Sequence, residues 1–246
     1  MKTSRCGLGS LLPSPAILAG AIGSLSKHID YAAAKHGDFD AAMRLAADTV
    51  TGELIDRLRH LQAHAVLGVL GEEAFGPNAI PTAAAAHIAK HLNIALAHGV
   101  VKHSGLIRTN LDGLGRVFSR PTFIGKVKHG ARYILLDDTL SQGGTIAALA
   151  EHLNKQGAEV AAVVALAGKQ YSSFLAPTQV TLERLRTQLG DAEDAFQQAT
   201  DRRFDDLTES EARYLANFKP NSEVRQRIAT ALEQRVGGKS GPSTGN

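Results

Sequence analysis

The stretch "YILLDDTLSQGGTIAAL", from Tyr133 to Leu149, joins an apolar run, two adjacent carboxylates and a turn of hydroxyl and glycine residues. The apolar run predicts a buried strand, and "TIAALAEHLNKQ", which ends before Gly157, predicts a helix. In a parallel sheet, ligands bind beyond the carboxyl ends of the strands. The sequence therefore predicts a ligand site at Asp137, Asp138 and the turn that follows them.

The turn from Ser141 to Thr145 has the composition of an anion site. Consecutive backbone N–H groups at the start of a helix attract negative charge. The two glycines let the backbone come close to an anion, and the two hydroxyls can donate further hydrogen bonds. Carboxylates repel an anion but accept hydrogen bonds from the hydroxyls of a sugar. The acids and the turn together predict a receptor for a ribose 5-phosphate.

Three alternatives to this interpretation can be compared with the same residues. A P-loop needs a lysine where this chain has Gly144, which argues against a nucleotide triphosphatase. A phosphatase of the haloacid dehalogenase type needs two aspartates separated by one residue, whereas Asp137 and Asp138 are adjacent. An acidic turn that holds no ligand remains the third alternative.

The rest of the chain predicts the fold class. Apolar runs at 65–70, 94–97 and 160–168 predict further buried strands, and "TAAAAHIAKHLN" predicts a helix between two of them. The stretch at 38–62 predicts one long amphipathic helix. Strands that alternate with helices, each strand apolar throughout, indicate an α/β fold with a parallel sheet covered on both faces. The glycine-rich, basic segment at 98–130 predicts a long loop or a ragged hairpin.

After Gly168 the sequence predicts helices only. The stretch "LTESEARYLANF" begins with a capping box, in which Thr208 and Glu211 satisfy each other's backbone donors. The predicted domain organisation has four parts: a loosely structured lead-in (1–27), an α/β domain (28–170), a helical extension (171–236) and a disordered tail (237–246).

Composition restricts the class of protein. The 246 residues are 43% hydrophobic and 21% charged, which allows a large buried core. The 27 basic and 24 acidic residues are spread along the chain, and this balance argues against a nucleic-acid partner. Cys6 is the single cysteine, which suits a reducing cytosol. No apolar run reaches the ~20 residues of a membrane span, so we expect a cytoplasmic protein without a membrane partner.

The stretch from Asp137 to Thr145 resembles the phosphoribosyl-diphosphate-binding signature of the type I phosphoribosyltransferases. In that family the two acids bind the 2- and 3-hydroxyls of the ribose, and the turn binds its 5-phosphate. The resemblance implies an α/β, parallel-sheet type I phosphoribosyltransferase fold with helical N- and C-terminal extensions. It implies catalytic-site roles for both acids, and substrate binding by Ser141, Gln142, Gly143, Gly144 and Thr145. The chain departs from the family pattern at two positions: Ser141 stands where threonine or aspartate is common, and Gln142 stands where a small or hydroxyl residue is usual.

The resemblance extends from about Ala65 to Lys169. The stretch "VLGVLGEEAFGPNAIPTAAAAHIAKHL" is similar to the family's first strand, diphosphate loop and following helix. From the residues alone it can equally be a plain connection between a strand and a helix. The basic segment at 98–130 falls where the family has a flexible catalytic lid, although each basic residue there can also be a solvated surface residue. The candidates for contacts to the substrate are Glu72, Glu73 and Asn78, together with Lys102 as a catalytic residue, His103, Arg108 and Arg116.

The function implied by the resemblance is phosphoribosyl transfer from phosphoribosyl diphosphate to an unidentified, base-like nitrogenous acceptor. The implied cofactor is Mg²⁺, held mainly by the diphosphate oxygens, and homodimers are common in the family. A non-catalytic regulatory protein that binds phosphoribosyl diphosphate or a nucleotide is the main alternative, and an enzyme with another phosphate chemistry is a third. His87 and His91 are four residues apart on a predicted helix, but no third zinc ligand lies at a useful spacing.

Overall fold

The computed structural model describes residues 7–73, 76–103 and 112–237. Five strands form the main sheet: β1 (Ile17–Leu18), β2 (Ala65–Gly68), β5 (Ala95–Leu96), β8 (Arg132–Leu140) and β9 (Glu159–Gly168). They lie in the order β1-β9-β8-β2-β5, and every neighbouring pair is parallel. Two short antiparallel pairs complete the described strands: β3 (Glu72–Glu73) with β4 (Gly76–Pro77), and β6 (Val101–His103) with β7 (Thr122–Ile124).

The helices are α1 (Tyr31–Lys35), α2 (Phe39–Thr49), α3 (Gly52–Arg59), α4 (Ile80–Leu92), α5 (Gly113–Phe118), α6 (Gly144–Lys155), α7 (Gln179–Leu189), α8 (Glu193–Thr200), α9 (Glu209–Asn217) and α10 (Asn221–Gly237). Helices α1 to α4 pack on one face of this sheet and α6 on the other, and α5 and α7 to α10 lie beside it. None of the helices in the described ranges is both long enough and apolar enough to cross a lipid bilayer.

Side chains that point alternately to the two faces of the central strand β8 explain the two layers of helices. On β8, Ile134 and Leu136 face a core that includes residues of α1 to α4. Tyr133 and Leu135 face the opposite core, to which α6 contributes Ile146 and other apolar residues. Apolar side chains on both faces of a strand are typical of a parallel sheet between two layers of helices. The structure therefore confirms the predicted α/β fold class.

The N-terminal segment differs from the expected lead-in. Within residues 7–27, strand β1 lies at the edge of the sheet and pairs with β9, with Ile17 opposite Val164. Leu8, Leu12 and Leu25 are buried. A strand of two residues is too short to produce a periodic sequence pattern, and the apolar side chains around it are separated by glycine, serine and proline. The expectation of a loosely structured segment is therefore wrong from residue 7 onward.

Two further elements differ from the sequence predictions. The single helix predicted at 38–62 is divided into α2 and α3, because the Thr51 side chain accepts a hydrogen bond from Leu54 N (3.3 Å) and caps a new helix. The loop or ragged hairpin predicted at 98–130 contains the β6–β7 pair and the short helix α5. An N-cap inside a continuous apolar pattern is easily overlooked, since the pattern itself is not interrupted.

The C-terminal helices build a third core together with α5. Its fully buried members include Leu114 from α5, Phe196 from α8 and Leu215 from α9. The predicted capping box of α9 is confirmed: Thr208 Oγ1 accepts from Glu211 N (3.1 Å), and the Glu211 carboxylate accepts from Thr208 N (2.9 Å). Residues 238–246 of the predicted tail lie outside the described residues.

Gly68, at the end of β2, lies against the backbone of α4. A Cβ atom at this position would be 2.6 Å from the carbonyl oxygen of Pro81, and a backbone atom cannot move unless α4 shifts on the sheet. We expect Gly68→Ala to lower the free energy of unfolding by about 2 kcal/mol, as overpacking of a core commonly does. Urea unfolding monitored by circular dichroism measures the change.

The matched control is Gly52→Ala in the first turn of α3. A Cβ atom at Gly52 would have no atom within 4 Å apart from its chain neighbours and the backbone of its own helix. Alanine reduces the conformational freedom of the unfolded chain, so we expect this variant to be unchanged or up to about 1 kcal/mol more stable. Equal effects of the two substitutions would contradict the contact between Gly68 and Pro81.

Candidate functional site

The carboxyl ends of β2 and β8 meet at a small cavity of about 160 Å³. Asp137 and Asp138 reach it from β8, and Thr145 reaches it from the first turn of α6. Asn78, which precedes α4, and Lys102, in β6, also line it. The structure thus brings together five of the predicted site residues from three separate stretches of the chain.

Asp138 is buried, with 6% of its surface exposed. Its Oδ2 atom accepts hydrogen bonds from Lys35 Nζ (2.7 Å) and from Asn78 Nδ2 (2.8 Å). Asn78 in turn accepts from the backbone N–H of Ile80 (3.2 Å), at the start of α4. These bonds fix the orientation of the carboxylate and join three elements of the fold around it.

Lys35 is a contact of the site that the sequence analysis missed. It is the last residue of the five-residue helix α1 and lies 103 residues before its partner Asp138. Neither a motif nor a charge pattern marks this lysine in the sequence. Its position follows only from the packing of the N-terminal helices on the sheet.

Asp137 is partly buried beside Asp138, and its Oδ1 atom accepts from the backbone N–H of Asp138 (2.9 Å). Burial, followed by repulsion from Asp138, raises the pKa of Asp137 to about 7. The N–H of Asp138 and the ammonium groups of Lys102 and Lys35 act in the opposite direction. Asp137 can therefore exchange a proton near neutral pH.

This raised pKa predicts how the stability of the protein depends on pH. In the unfolded chain Asp137 ionises near 3.8, whereas the folded protein keeps its proton up to about pH 7. The folded state therefore binds more protons between these values, and the contribution of Asp137 to stability is lost as the pH rises through 7. We expect Asp137→Asn to increase the free energy of unfolding more at pH 8 than at pH 5. Urea unfolding of both proteins at the two pH values checks this, and an equal difference at both would contradict it.

The turn between β8 and α6 is held in place by the C-terminal part of the chain. Gly143 adopts a left-handed conformation (φ +78°) at the N-cap of α6. The carbonyl oxygen of Ser141 accepts from Ser172 Oγ (2.7 Å), and that of Gln142 accepts from Thr208 Oγ1. The carbonyl groups of the turn are therefore occupied, while the first amides of a helix have no acceptor within it. Those amides are the groups that can bind an anion.

Behind the turn, Arg120 connects α6 to α9. Its side chain is 7% exposed and donates to Glu151 (3.0 Å), to the backbone oxygen of Asp206 (2.8 Å) and to the Glu211 carboxylate. A Cβ atom at Gly144 would lie 2.6 Å from Glu211 Oε1, so the residue at this position has to be small. The contacts of Arg120, Ser172 and Thr208 were not predicted, since each joins residues that lie far apart in the chain.

The remaining predicted residues lie elsewhere. His103 is exposed on β6, and Arg116 lines a second, larger cavity of about 700 Å³. Arg108 and the side chains of Glu72 and Glu73 lie outside the described residues. Whether these three contact a substrate therefore stays a prediction.

The described residues contain no group of three or more His, Cys, Asp or Glu side chains that could hold a metal ion. The rings of His87 and His91 are 4.3 Å apart, and His91 Nδ1 is 2.9 Å from the backbone oxygen of His87. Asp137 and Asp138 are the carboxylates of the small cavity, and oxygen atoms are the ligands that Mg²⁺ prefers. These two residues fit a magnesium ion only if water or a ligand supplies its other oxygens.

Comparison with known proteins gives matches in sequence but no match to a family model. The chain is 33% identical over 221 residues to protein TraN of Escherichia coli, which covers 88% of this chain and 49% of TraN. It is 36% identical over 138 residues to an uncharacterised protein of Haemophilus influenzae, which covers 55% of this chain and 31% of the other. The chain thus matches half or less of the length of these two relatives.

Solved structures with a partial likeness to this chain include two phosphoribosyltransferases. A purine phosphoribosyltransferase from Pyrococcus horikoshii is 19% identical with a TM-score of 0.36, covering 51% of this chain and 75% of that protein. The adenine phosphoribosyltransferase of Rhodothermus marinus is 16% identical with a TM-score of 0.36, covering 60% and 84%.

Proposed function

We propose that this protein is a phosphoribosyltransferase, which transfers the sugar of phosphoribosyl diphosphate to a nitrogen atom of an acceptor. The observation that carries the proposal is the convergence of Asp137, Asp138, Asn78 and Lys102 on one cavity, beside the first turn of α6. The sugar phosphate, the ribose hydroxyls and the diphosphate of such a donor each have candidate partners among these residues.

The two carboxylates and the turn suit the sugar phosphate. Backbone amides at the start of α6, together with the Thr145 hydroxyl, would bind the 5-phosphate. Asp137 and Asp138 would accept hydrogen bonds from the 2- and 3-hydroxyls of the ribose. Lys35 and Asn78 both donate to Oδ2 of Asp138, which leaves its Oδ1 atom with acceptor capacity for a hydroxyl.

Lys102 suits the diphosphate. Its backbone N–H donates to Leu70 O (2.7 Å), which holds β6 beside the loop that follows β2. A Cβ atom at Gly71 would lie 2.5 Å from Lys102 Cε, so a glycine lets the lysine side chain pass directly over the backbone. The ammonium group would stabilise the charge that develops on the leaving diphosphate. Glu73 and Arg108 are proposed as further contacts of this group.

The reaction would break the bond between C1 of the ribose and a diphosphate oxygen while the acceptor nitrogen forms a bond to C1. Positive charge develops on the sugar, and the nearby carboxylates of Asp137 and Asp138 favour it electrostatically. Magnesium, bound mainly by the diphosphate oxygens, would neutralise the leaving group. The residues of the chain contribute by holding the two ends of the donor at fixed positions.

An assay of diphosphate release tests the proposal. The protein is incubated with phosphoribosyl diphosphate, Mg²⁺ and one of a panel of purine, pyrimidine and pyridine acceptors. We expect release that depends on the acceptor, and we expect Lys102→Ala to lower kcat at least 100-fold, within the range measured for removal of one charge-stabilising group. Lys90→Ala, an exposed lysine on α4, is the control and should leave the rate unchanged.

Two other outcomes of this assay would argue against an enzyme. Tight binding of phosphoribosyl diphosphate without any release would favour the regulatory binding protein over the enzyme. The absence of both binding and release would contradict the enzyme and the regulatory binding protein alike.

A further inference from the structure

A second cavity of about 700 Å³ lies between the turn at Ser141 and Gln142 and the helix α9. Its volume is within the range of small-molecule sites. The side chains that line it include no Asp or Glu among the described residues, but they include four cations: Arg116, Lys169, Arg213 and Lys219. A wall with this charge favours a ligand that carries negative charge.

The same cavity presents aromatic rings. Tyr171 is 39% exposed, and its ring lies 5.7 Å from Lys169 Nζ and 5.1 Å from Arg213 Cζ. The rings of Tyr214 and Phe218 are 5.6 Å apart. Tyr171 is exposed, whereas Tyr214 and Phe218 are partly buried against the helical core. An exposed ring can stack on a planar ligand, so the cavity combines a stacking surface with positive charge.

Glu209 neutralises the charge of Arg213 only in part. Glu209 lies 3.6 Å from Arg213, but its carboxylate also accepts from Thr178 N and from Thr181 Oγ1, each at 2.7 Å. It points into the helical core, where its side chain is 3% exposed. The guanidinium of Arg213 is half-exposed and can still bind an anion.

The order of the strands relates the two cavities. The carboxylates lie on β8, the small cavity extends to the side of β2, and Lys169 follows β9 on the other side. A donor held over β8 with its diphosphate toward β2 would present C1 to an acceptor on the β9 side. Displacement at a carbon atom requires the nucleophile to approach from the side opposite to the departing group, and this order of strands allows that arrangement.

We propose that this second cavity is the acceptor site, and that the acceptor is a planar aromatic ring that carries a negative charge. The role as acceptor site rests on the proposed function, whereas the preference for an aromatic anion rests on the lining of the cavity alone. Helix α9, in the C-terminal extension, would thus supply residues that determine specificity.

Calorimetric titration with matched probes tests the charge preference. Uracil is compared with orotate, the same ring with a carboxylate, and nicotinamide is compared with nicotinate. We expect the carboxylate of each pair to bind at least tenfold more tightly than its neutral partner, and we expect this difference to shrink between 50 mM and 500 mM salt. Equal or tighter binding of the neutral member, or no binding of any probe, would overturn the proposal.

Substitutions in the cavity separate charge from stacking. We expect the double variant Lys169→Gln and Arg213→Gln to weaken only the charged probes, and Tyr171→Ala to weaken both members of each pair. The control, Lys90→Gln with Arg59→Gln, changes two exposed cations on other helices and should change neither. If these cavity variants bind all probes as the wild type does, the probes do not occupy this cavity and the proposal fails.

The affinity for phosphoribosyl diphosphate is measured on the same samples. If the protein does not bind phosphoribosyl diphosphate but shows the charge preference, the proposed function is wrong and the aromatic-anion site stands. If the protein binds phosphoribosyl diphosphate but shows no charge preference among the probes, the inference about the acceptor is wrong and the proposed function stands.

Discussion

Replacing both Asp137 and Asp138 by asparagine is expected to lower the affinity for phosphoribosyl diphosphate by about 10² to 10⁴-fold. Each carboxylate would accept a hydrogen bond from a ribose hydroxyl, and a hydrogen bond to a charged group is worth about 1.5–3 kcal/mol. Two such bonds together give roughly 3–6 kcal/mol, and every 1.4 kcal/mol corresponds to a factor of ten. Isothermal titration with Mg²⁺ at pH 8 measures the change.

The asparagine variant should remain folded. Asparagine has nearly the shape of aspartate, and the substitution removes repulsion between two neighbouring enclosed carboxylates. The ion pair of Asp138 with Lys35 is lost, but an amide oxygen at position 138 can still accept from Lys35 and Asn78, so we expect a urea midpoint close to that of the wild type. Asp48→Asn with Asp56→Asn is the matched control, because these carboxylates are 70% and 67% exposed and lie on α2 and α3. Unchanged affinity in the site variant would remove the proposed role of both acids.

The largest expected effect on stability is that of Arg120→Met. The guanidinium is almost fully buried and neutralises Glu211, whose side chain is 1% exposed. Removing one partner leaves the other charge buried and uncompensated, which costs about 3–5 kcal/mol. The same change removes hydrogen bonds to Glu151 and to the backbone of Asp206. Urea unfolding should therefore show a much lower midpoint.

An exposed ion pair provides the control for this prediction. In Arg59–Asp56 the two side chains are 59% and 67% exposed, at a separation of 2.9 Å. We expect Arg59→Met to change the free energy of unfolding by less than about 1 kcal/mol. A small effect of Arg120→Met would show that the connection between α6 and α9 contributes little to the fold.

Local sequence patterns predicted the strand, the turn and the helix start around Asp137 and Asp138. The apolar run at Tyr133–Leu136 produces the central strand, and the glycines that follow it produce the helix start, because both depend on neighbours in the chain. The capping box at Thr208 and Glu211 is equally local. Such features need no knowledge of the fold, which is why the α/β class and the position of the acids and the turn could be predicted.

Contacts between distant segments could not be predicted from the sequence. Lys35 reaches Asp138 across 103 positions, and Thr208 reaches Gln142 across 66. The capping box identified Thr208 as a helix cap, yet its hydroxyl also donates to the turn, as only the packed structure shows. Strand β1 also depends on a distant segment, since its two residues form a strand only by pairing with β9.

Titration of the wild-type protein with phosphoribosyl diphosphate and Mg²⁺ tests the central claim most directly. The claim is that the turn after β8 binds the sugar phosphate while the adjacent carboxylates bind its diol. We predict a dissociation constant below about 1 mM, the upper end of typical substrate KM values. We also predict no measurable heat from inorganic phosphate at the same concentration, because phosphate lacks the hydroxyls. An absence of binding at millimolar ligand would contradict the account.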